Sequence, residues 1–247
     1  VPAVLRVLHL DDHMVAVDKP AGVLVHPSAL DAHAAHTVLG QLQAQLGMRL
    51  WTVHRLDKAT SGVLVFARTA LAARALAAAF ESGRIRKRYL ALVRGWPPAS
   101  GAIDYPLARD PERPSAGQPR VPAVTHYRRL QCLEWPLSDG RHATSRHALL
   151  EVEPLQGRRH QIRRHLKHIG HPILGDSTHG KGPHNRAMAA WLGVKRLWLH
   201  ALHLELPALS GKAPVAIDAP PDAHWNSLAC GAKLAPVMPL QHGQEAL

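Results

Sequence analysis

The stretch from His54 to Ala67 constrains this chain more than any other. It gathers His54, Arg55, Asp57 and Lys58 into one short charged cluster, turns at Thr60-Ser61-Gly62, and then runs apolar from Val63 to Ala67. An apolar run of that length, rich in valine, predicts a buried β-strand. The charged loop therefore sits at the lip of a sheet, where an acid held beside an arginine is a candidate reaction centre. Ion-pair networks also perturb carboxylates for structural reasons, so chemistry alone divides Asp57 between capping the turn and carrying a reaction.

At 247 residues the chain can bury a sizeable core, as one large or two small domains. Thirty Lys+Arg against eighteen Asp+Glu, with nineteen His besides, give a formal net charge of +12. A surface of that sign attracts a polyanion, and nucleic acid is the expected partner. No stretch approaches the roughly 20 apolar residues of a membrane-spanning helix, and no basic-then-apolar leader opens the sequence, so no membrane partner is expected. Cys132 and Cys230 lie far apart without a CxxC pair. That argues against a disulfide framework or zinc site and fits a reducing cytoplasm. His160, His165, His168 and His171 lack cysteine or carboxylate partners at ligand spacing and are threaded with arginines, whose charge repels a cation. No metal is expected there, and phosphate contact suits the segment better.

Leu5–Leu10 and Met14–Asp18 alternate as two short strands, and Val23–Val25 resumes an extended run after the turn at Lys19-Pro20-Ala21-Gly22. Thr37–Leu46 predicts a helix closed by Gly47; Thr69 caps a second one that carries Leu71, Leu76 and Phe80 and ends at Gly83. Arg84–Gly95 is a long strand, basic first and apolar after. Residues 97–122 are rich in Pro, Gly and Ser and predict loop with one short strand near Ile103. Further strands are expected at Ala123–Leu133, Arg146–Val152, Arg196–Leu206 and Val215–Asp218. A helix from Arg158 to about Ile169 has Ile162, Leu166 and Ile169 on one face, with Arg159, Arg163, Arg164 and Lys167 off it. Charge of one sign on a helix costs repulsion unless an anion answers it. The expectation is one α+β domain over residues 1–229 with a large mixed or antiparallel sheet, followed by a loosely ordered tail at 230–247.

His54-Arg55-Leu56-Asp57, two residues, then Thr60-Ser61-Gly62 resembles the active-site motif of the RluA family of pseudouridine synthases. Lys19-Pro20-Ala21-Gly22 with Val25-His26 resembles that family's first motif. Lys87-Arg88-Tyr89 and the apolar residues up to Val93 resemble the strand carrying its active-site tyrosine. Gly157 to His165, continuing from Gly170 to Asp176, resembles its third motif, and Leu197–Ala201 its last. All five stand in the family's order within residues 5–218. The resemblance implies the pseudouridine synthase fold, a large bent sheet with flanking helices and a basic cleft across its middle. It also implies conversion of a uridine in RNA to its C-glycoside isomer without metal or cofactor. The N1–C1′ bond breaks, the uracil turns within the pocket, and C5 joins C1′.

Carried across residue by residue, the resemblance makes Asp57 the essential carboxylate, whether it attacks C1′ or removes a sugar proton to give a glycal. Burial alone would raise the pKa of such an acid, so a cation must hold its charge; Arg163 occupies that position. Tyr89 matches the tyrosine that stacks on the flipped uracil, although a strand aromatic is as readily a core residue. Arg55 matches the arginine that enters the helix where the base has left. Ile162 would wall the uracil pocket or belong to the core. Lys19, Arg158, His160 and Gln161 are assigned to phosphate contact or loop support, and His54 is grouped with the RNA-binding residues.

The sequence starts almost at the first catalytic strand, which leaves no room for the small S4-type RNA-binding domain of many relatives. It is similar to the compact members of the family and in particular to a tRNA-specific branch. Trp96, the run Pro122–Tyr127, Asn185-Arg186, and His179 where most relatives carry tyrosine support that likeness. The branch implies tRNA as substrate, the uridine at position 65 of the T stem as target, and a cytoplasmic monomer. The loop Arg109–Arg120 and the basic block Asp139–His142 are where substrate choice would vary. A compact ribosomal RNA synthase is the rival within the same chemistry. A non-catalytic RNA-binding protein would have lost the aspartate, arginine or tyrosine, and all three are present. A glycoside hydrolase usually needs two acids in one site, and only Asp57 lies in such a motif.

Overall fold

The structure, a computed structural model, describes residues 4–26, 37–138, 141–208, 213–226, 228 and 233–234. Its frame is one mixed sheet. Along the main path lie β1 (Arg6–Leu10), β2 (Met14–Lys19), β4 (Ser61–Ala67), β11 (Leu199–Leu206), β5 (Arg86–Arg94), β10 (Ser145–Pro154), β9 (Val124–Trp135) and β13 (Lys233–Leu234), in that spatial order. Three more strands pair off this path: β3 (Trp51–Thr52) on β4, β6 (Ser100–Asp104) on β9, and β12 (Val215–Asp218) on β11. Among the described strands of this sheet only β4 and β11 run parallel; the other neighbours are antiparallel. A separate two-stranded ribbon joins β7 (Leu107–Ala108) to β8 (Arg120–Val121). The α+β class with a large mixed sheet expected from the sequence is the one found.

The apolar run of β4 is buried along its whole length. Strand alternation sends Val63, Val65 and Ala67 into one core and Leu64 and Phe66 into another, so both faces are covered. Burial of each such side chain contributes about 1.5–3 kcal/mol. Helix α1 (Val38–Leu46) starts where Thr37 Oγ1 accepts the Gly40 N–H and ends at Gly47 with φ 65°. Helix α2 (Ala70–Glu81) is capped by Thr69 and lays Ala72, Leu76 and Ala79 on the sheet. The third core joins β5, β9, β10 and β11 to helices α3 (Gln161–His168) and α4 (Gly182–Leu192), with Trp198 packed edge-on against Trp225 of the short α5 (Ala223–Asn226).

Four local expectations change. Val23–Val25 is not a strand. Residues 97–122 carry β6, β7 and β8 rather than one short strand. Helix α4 was not foreshadowed: Pro183 in its first turn is compatible with a helix start, but Met188 is its only buried residue, so no apolar stripe advertises it. Helix α3 begins at Gln161 rather than Arg158, because His160 adopts a left-handed backbone with φ 54°. Apart from β13, the expected loose tail lies outside the described residues, as do residues 139–140.

Candidate active site

The charged loop between β3 and β4 is anchored by residues that the sequence assigned to RNA. His54 Nε2 accepts the backbone N–H of Val65 at 2.9 Å, and its ring stacks on Phe80 at 4.2 Å. A nitrogen that accepts cannot be protonated. Burial, assisted by the charge of Lys87, pushes the imidazole pKa down to about 3. His54 thus ties the loop to β4 and α2, and it also lines the groove beside Arg55. Lys19 is fully buried, and its Nζ donates to the carbonyls of Pro20 at 2.8 Å and Lys58 at 3.0 Å. Burial pulls its pKa to about 7 against the pull of the Asp57 charge. No phosphate can reach it, so of its two expected roles loop support is the one its position allows.

Gly62 brings the charged loop close to the strand that carries Tyr89. With φ 107°, it faces Ala201 so closely that a Cβ would run into the Ala201 carbonyl. Register then places Gly62 opposite Ala201 and Ala201 opposite Tyr89 across three adjacent strands. Tyr89 is half-buried, and its phenol pKa is pushed up by burial and further by the charge of Asp57, which keeps the hydroxyl neutral.

Helix α3 delivers the cation. Arg163 is buried and donates from Nη1 to Asp57 Oδ2 at 2.9 Å, from Nε to Asp176 Oδ2 at 2.8 Å and from Nη2 to Asp176 Oδ1 at 2.9 Å. Burial opposes its charge, but the hydrogen bonds and charges of Asp176 and Asp57 outweigh that penalty and raise its pKa. Asp176 is itself fully buried and accepts the N–H groups of Thr178 and His179. Burial works to raise its pKa, yet Arg163 and these two N–H groups bring it below the usual carboxylate value. Gly175 permits this turn: its φ is 76°, and a Cβ would collide with the Arg196 carbonyl. The bidentate grip fixes the guanidinium plane, so the remaining arm meets Asp57 in one geometry.

Asp57 Oδ1 accepts no hydrogen bond from the described residues and faces a cleft of about 100 Å³. Tyr89, Ile162, Arg55, Lys87 and Arg158 share that cleft. A wider groove of about 550 Å³, also lined by Arg55, Lys87, Tyr89 and Arg158, continues it. Arg55 and Arg158 are exposed, and Ile162 belongs to the core while facing the cleft. His160 Nε2 stands 3.8 Å from Asp57 Oδ1, and its Nδ1 lies 3.1 Å from His179 Nε2. Gln161 lines the cleft too, and its amide is spent on Val124 O, Thr125 Oγ1 and the Arg158 N–H, tying α3 to β9.

The structure therefore gathers Asp57, Tyr89, Arg163, Arg55, Ile162, Arg158, His160 and Gln161 around one cleft, places His54 in the adjoining groove, and leaves Lys19 as a support of the loop. Two residues went unassigned in the sequence. Asp176 closes the third motif there, and the signal was a carboxylate thirteen positions after Arg163. Lys87, two residues before Tyr89, is buried at the cleft and donates to Gln156 O. Among the described residues no cluster of His, Cys, Asp or Glu is placed to hold a metal ion, and no helix is long and apolar enough to cross a membrane.

Asp57, paired with Arg163, stands just before β4, an interior strand of the mixed sheet, and shares its cleft with Tyr89 of β5. The RNA pseudouridylate synthase family model matches residues 13–168, and the chain belongs to that family. The tRNA pseudouridine synthase C of Vibrio cholerae is 40% identical over 229 residues, covering 91% of this chain and 94% of that protein. The tRNA pseudouridine synthase C of Salmonella typhimurium is 44% identical over 226 residues, covering 90% and 87%. The protein of the same name from Pectobacterium carotovorum is 42% identical over 229 residues, and there the match spans 61% of the relative's length. Among solved structures, human RNA Pseudouridylate Synthase Domain Containing 4 superposes with a TM-score of 0.67 at 25% identity, covering 90% of each chain. Human RNA Pseudouridylate Synthase Domain Containing 1 gives 0.75 at 24% identity, covering 96% and 91%, a likeness of fold.

Proposed function

We propose that this chain isomerises a uridine of tRNA to pseudouridine, at position 65 of the T stem, with Asp57 as the essential carboxylate. The observation that carries this reading is the Asp57–Arg163 ion pair in a cleft shared with Tyr89. Arg163 Nη1 occupies Asp57 Oδ2, and Oδ1 is the oxygen left for chemistry. Attack on C1′ and removal of a sugar proton both need that ionised oxygen beside the sugar. In either route the electrons of the N1–C1′ bond leave with the uracil. The uracil then turns and C5 bonds to C1′, as the Asp57–C1′ bond breaks in the first route or Asp57 returns the sugar proton in the second, and the C5 proton leaves to a base or water.

Tyr89 and Ile162 form the two sides of the uracil pocket. A base inside a duplex cannot be reached while stacked, so the enzyme must offset a few kcal/mol of unstacking. Arg55, exposed and without a hydrogen-bond partner among the described residues, fills the place the base vacates. Arg158 meets phosphate at the cleft's rim, and His160 stands beside the carboxylate. Support for tRNA comes from the names of the relatives, and support for the T stem from His179 and Asn185-Arg186. The described residues act as one catalytic unit, in the cytoplasm and as a monomer.

The test is incubation of the purified protein with unmodified tRNA and, separately, ribosomal RNA transcripts, followed by pseudouridine mapping at single-nucleotide resolution. A new site at tRNA position 65 is expected. Modification of ribosomal RNA alone would keep the reaction and overturn the substrate.

A further inference from the structure

A second basic cavity, of about 450 Å³, opens between α3 and the β7–β8 hairpin and shares no lining residue with the cleft that holds Asp57. The sequence presents this hairpin as a proline-rich loop, yet it is tightly built. Arg109 N–H donates to Pro119 O, and the Gln118 amide exchanges hydrogen bonds with Asp110 N and Asp110 O and donates to Pro114 O. Arg164 Nη1 on α3 reaches Ala108 O at 2.9 Å and fastens the hairpin to the helix.

The distribution of charge decides what the cavity can take. The hairpin's two acids, Asp110 and Glu112, are both paired with Arg159. The cavity wall is left with Arg120, Arg164, Lys167 and His168 and carries no carboxylate. Arg120, Arg164 and His168 are held rather than loose, and Lys167 is exposed beside them. His168 stacks on Tyr105 at 3.7 Å, and the Arg120 guanidinium stands 5.3 Å from the same ring while donating to Tyr105 Oη at 2.9 Å. Burial lowers the pKa of Arg164, and the neighbouring charge of Arg120 adds to that lowering. Cations fixed side by side without an acid repel one another until an anion answers them.

The cavity also reaches the reaction centre. His179 lines it, His179 Nε2 lies 3.1 Å from His160 Nδ1, and His160 Nε2 lies 3.8 Å from Asp57 Oδ1. An anion seated there is therefore one pair of imidazoles away from the carboxylate.

We propose that this cavity is a second RNA site, which grips a phosphodiester of the strand flanking the target uridine and sets the register of the substrate in the cleft. The inference rests on the reading of the chain as an RNA pseudouridine synthase. Its cations act on binding and alignment, while Asp57 acts on the chemistry.

The experiment measures Kd for the substrate tRNA across a salt series, together with pseudouridine formation, for the wild type, Lys167→Ser, and Arg120→Ser/Lys167→Ser. Removing one cation from a phosphate lowers the log–log salt slope by about 0.7 to 0.9. Lys167→Ser should lower it by about one and the double variant by about two, with Kd rising roughly tenfold in the double variant at moderate salt. Lys167 is exposed and off the core, so the single variant reports even if loss of Arg120 loosens the hairpin. A salt slope and Kd unchanged in both variants, with pseudouridine still formed by the wild type, would overturn the second site alone. Absence of pseudouridine from the wild type would instead overturn the functional reading on which it rests.

Discussion

Asp57 and Arg163 stand 106 positions apart in the chain and 2.9 Å apart across the cleft, joined by one arm of a guanidinium whose other two nitrogens both donate to Asp176. The second carboxylate is what makes the first pair rigid. Taking two charges out of water costs several kcal/mol per ion, and excellent geometry is needed to repay it. Asp176 supplies that geometry from a fully buried position.

Asp176→Asn should therefore damage chemistry more than binding. The amide still fills the space but grips Arg163 through one oxygen instead of two. A misplacement of about 1 Å at the reacting groups can cost on the order of 100-fold in rate, and a loss approaching that size is expected in the single-turnover rate. The RNA Kd should move little. Equal losses in both would reduce Asp176 to a stabilising residue.

Lys19→Met separates loop support from phosphate contact. The ammonium's hydrogen bonds to the Pro20 and Lys58 carbonyls are lost, the latter keeping the Gly22 N–H. A hydrogen bond from a charged donor contributes about 1.5–3 kcal/mol, so the melting temperature should fall. RNA affinity and its salt slope should not change, because the ammonium is fully buried. A shallower salt slope would restore Lys19 to the phosphate contacts.

His54 gives the fold an acid-sensitive latch. A base whose pKa is depressed on folding binds its proton better in the unfolded chain. The stability it carries is thus complete above its ordinary value of 6.5 and is lost as pH falls toward about 3. His179, lowered to about 4 chiefly by burial, acts in the same direction. Denaturant titrations between pH 6.5 and 4 should show stability falling with acid. The fall should be shallower in His54→Gln, whose amide oxygen can accept the Val65 N–H without titrating. An identical slope in the two proteins would contradict the latch.

Tyr89 should not titrate in the working range. With burial and Asp57 both raising its phenol pKa, the pH–rate profile between pH 7 and 10 should keep the same shape in the wild type and Tyr89→Phe, whatever the difference in height. A rate that climbs near pH 10 only in the wild type would show a phenolate at work.

Most of the frame was legible because β4 and the second half of β5 are apolar runs and β9, β10 and β11 interleave apolar with polar residues, and Thr37, Thr69 and Gly47 mark helix ends by local chemistry. The pairing of Asp57 with Arg163 was legible only through the family's motifs, since nothing local joins residues so far apart. Other features depend on contacts across the fold. His160 stops α3 at a left-handed residue that no propensity announces, and His54 and Lys19 looked like surface charges until burial turned them into anchors. The β7–β8 hairpin was hidden by its prolines, because the Gln118 side chain, rather than an alternating pattern, holds it together.

The central claim is that Asp57 carries the reaction and Arg163 holds it ready. The most direct measurement is pseudouridine formation on unmodified tRNA by the wild type and Asp57→Asn, with RNA Kd measured in parallel. Pseudouridine should fall to background in the variant while Kd stays within about twofold, since the change removes a charge that repels phosphate and none that binds it. Turnover by Asp57→Asn at the wild-type rate would contradict the assignment.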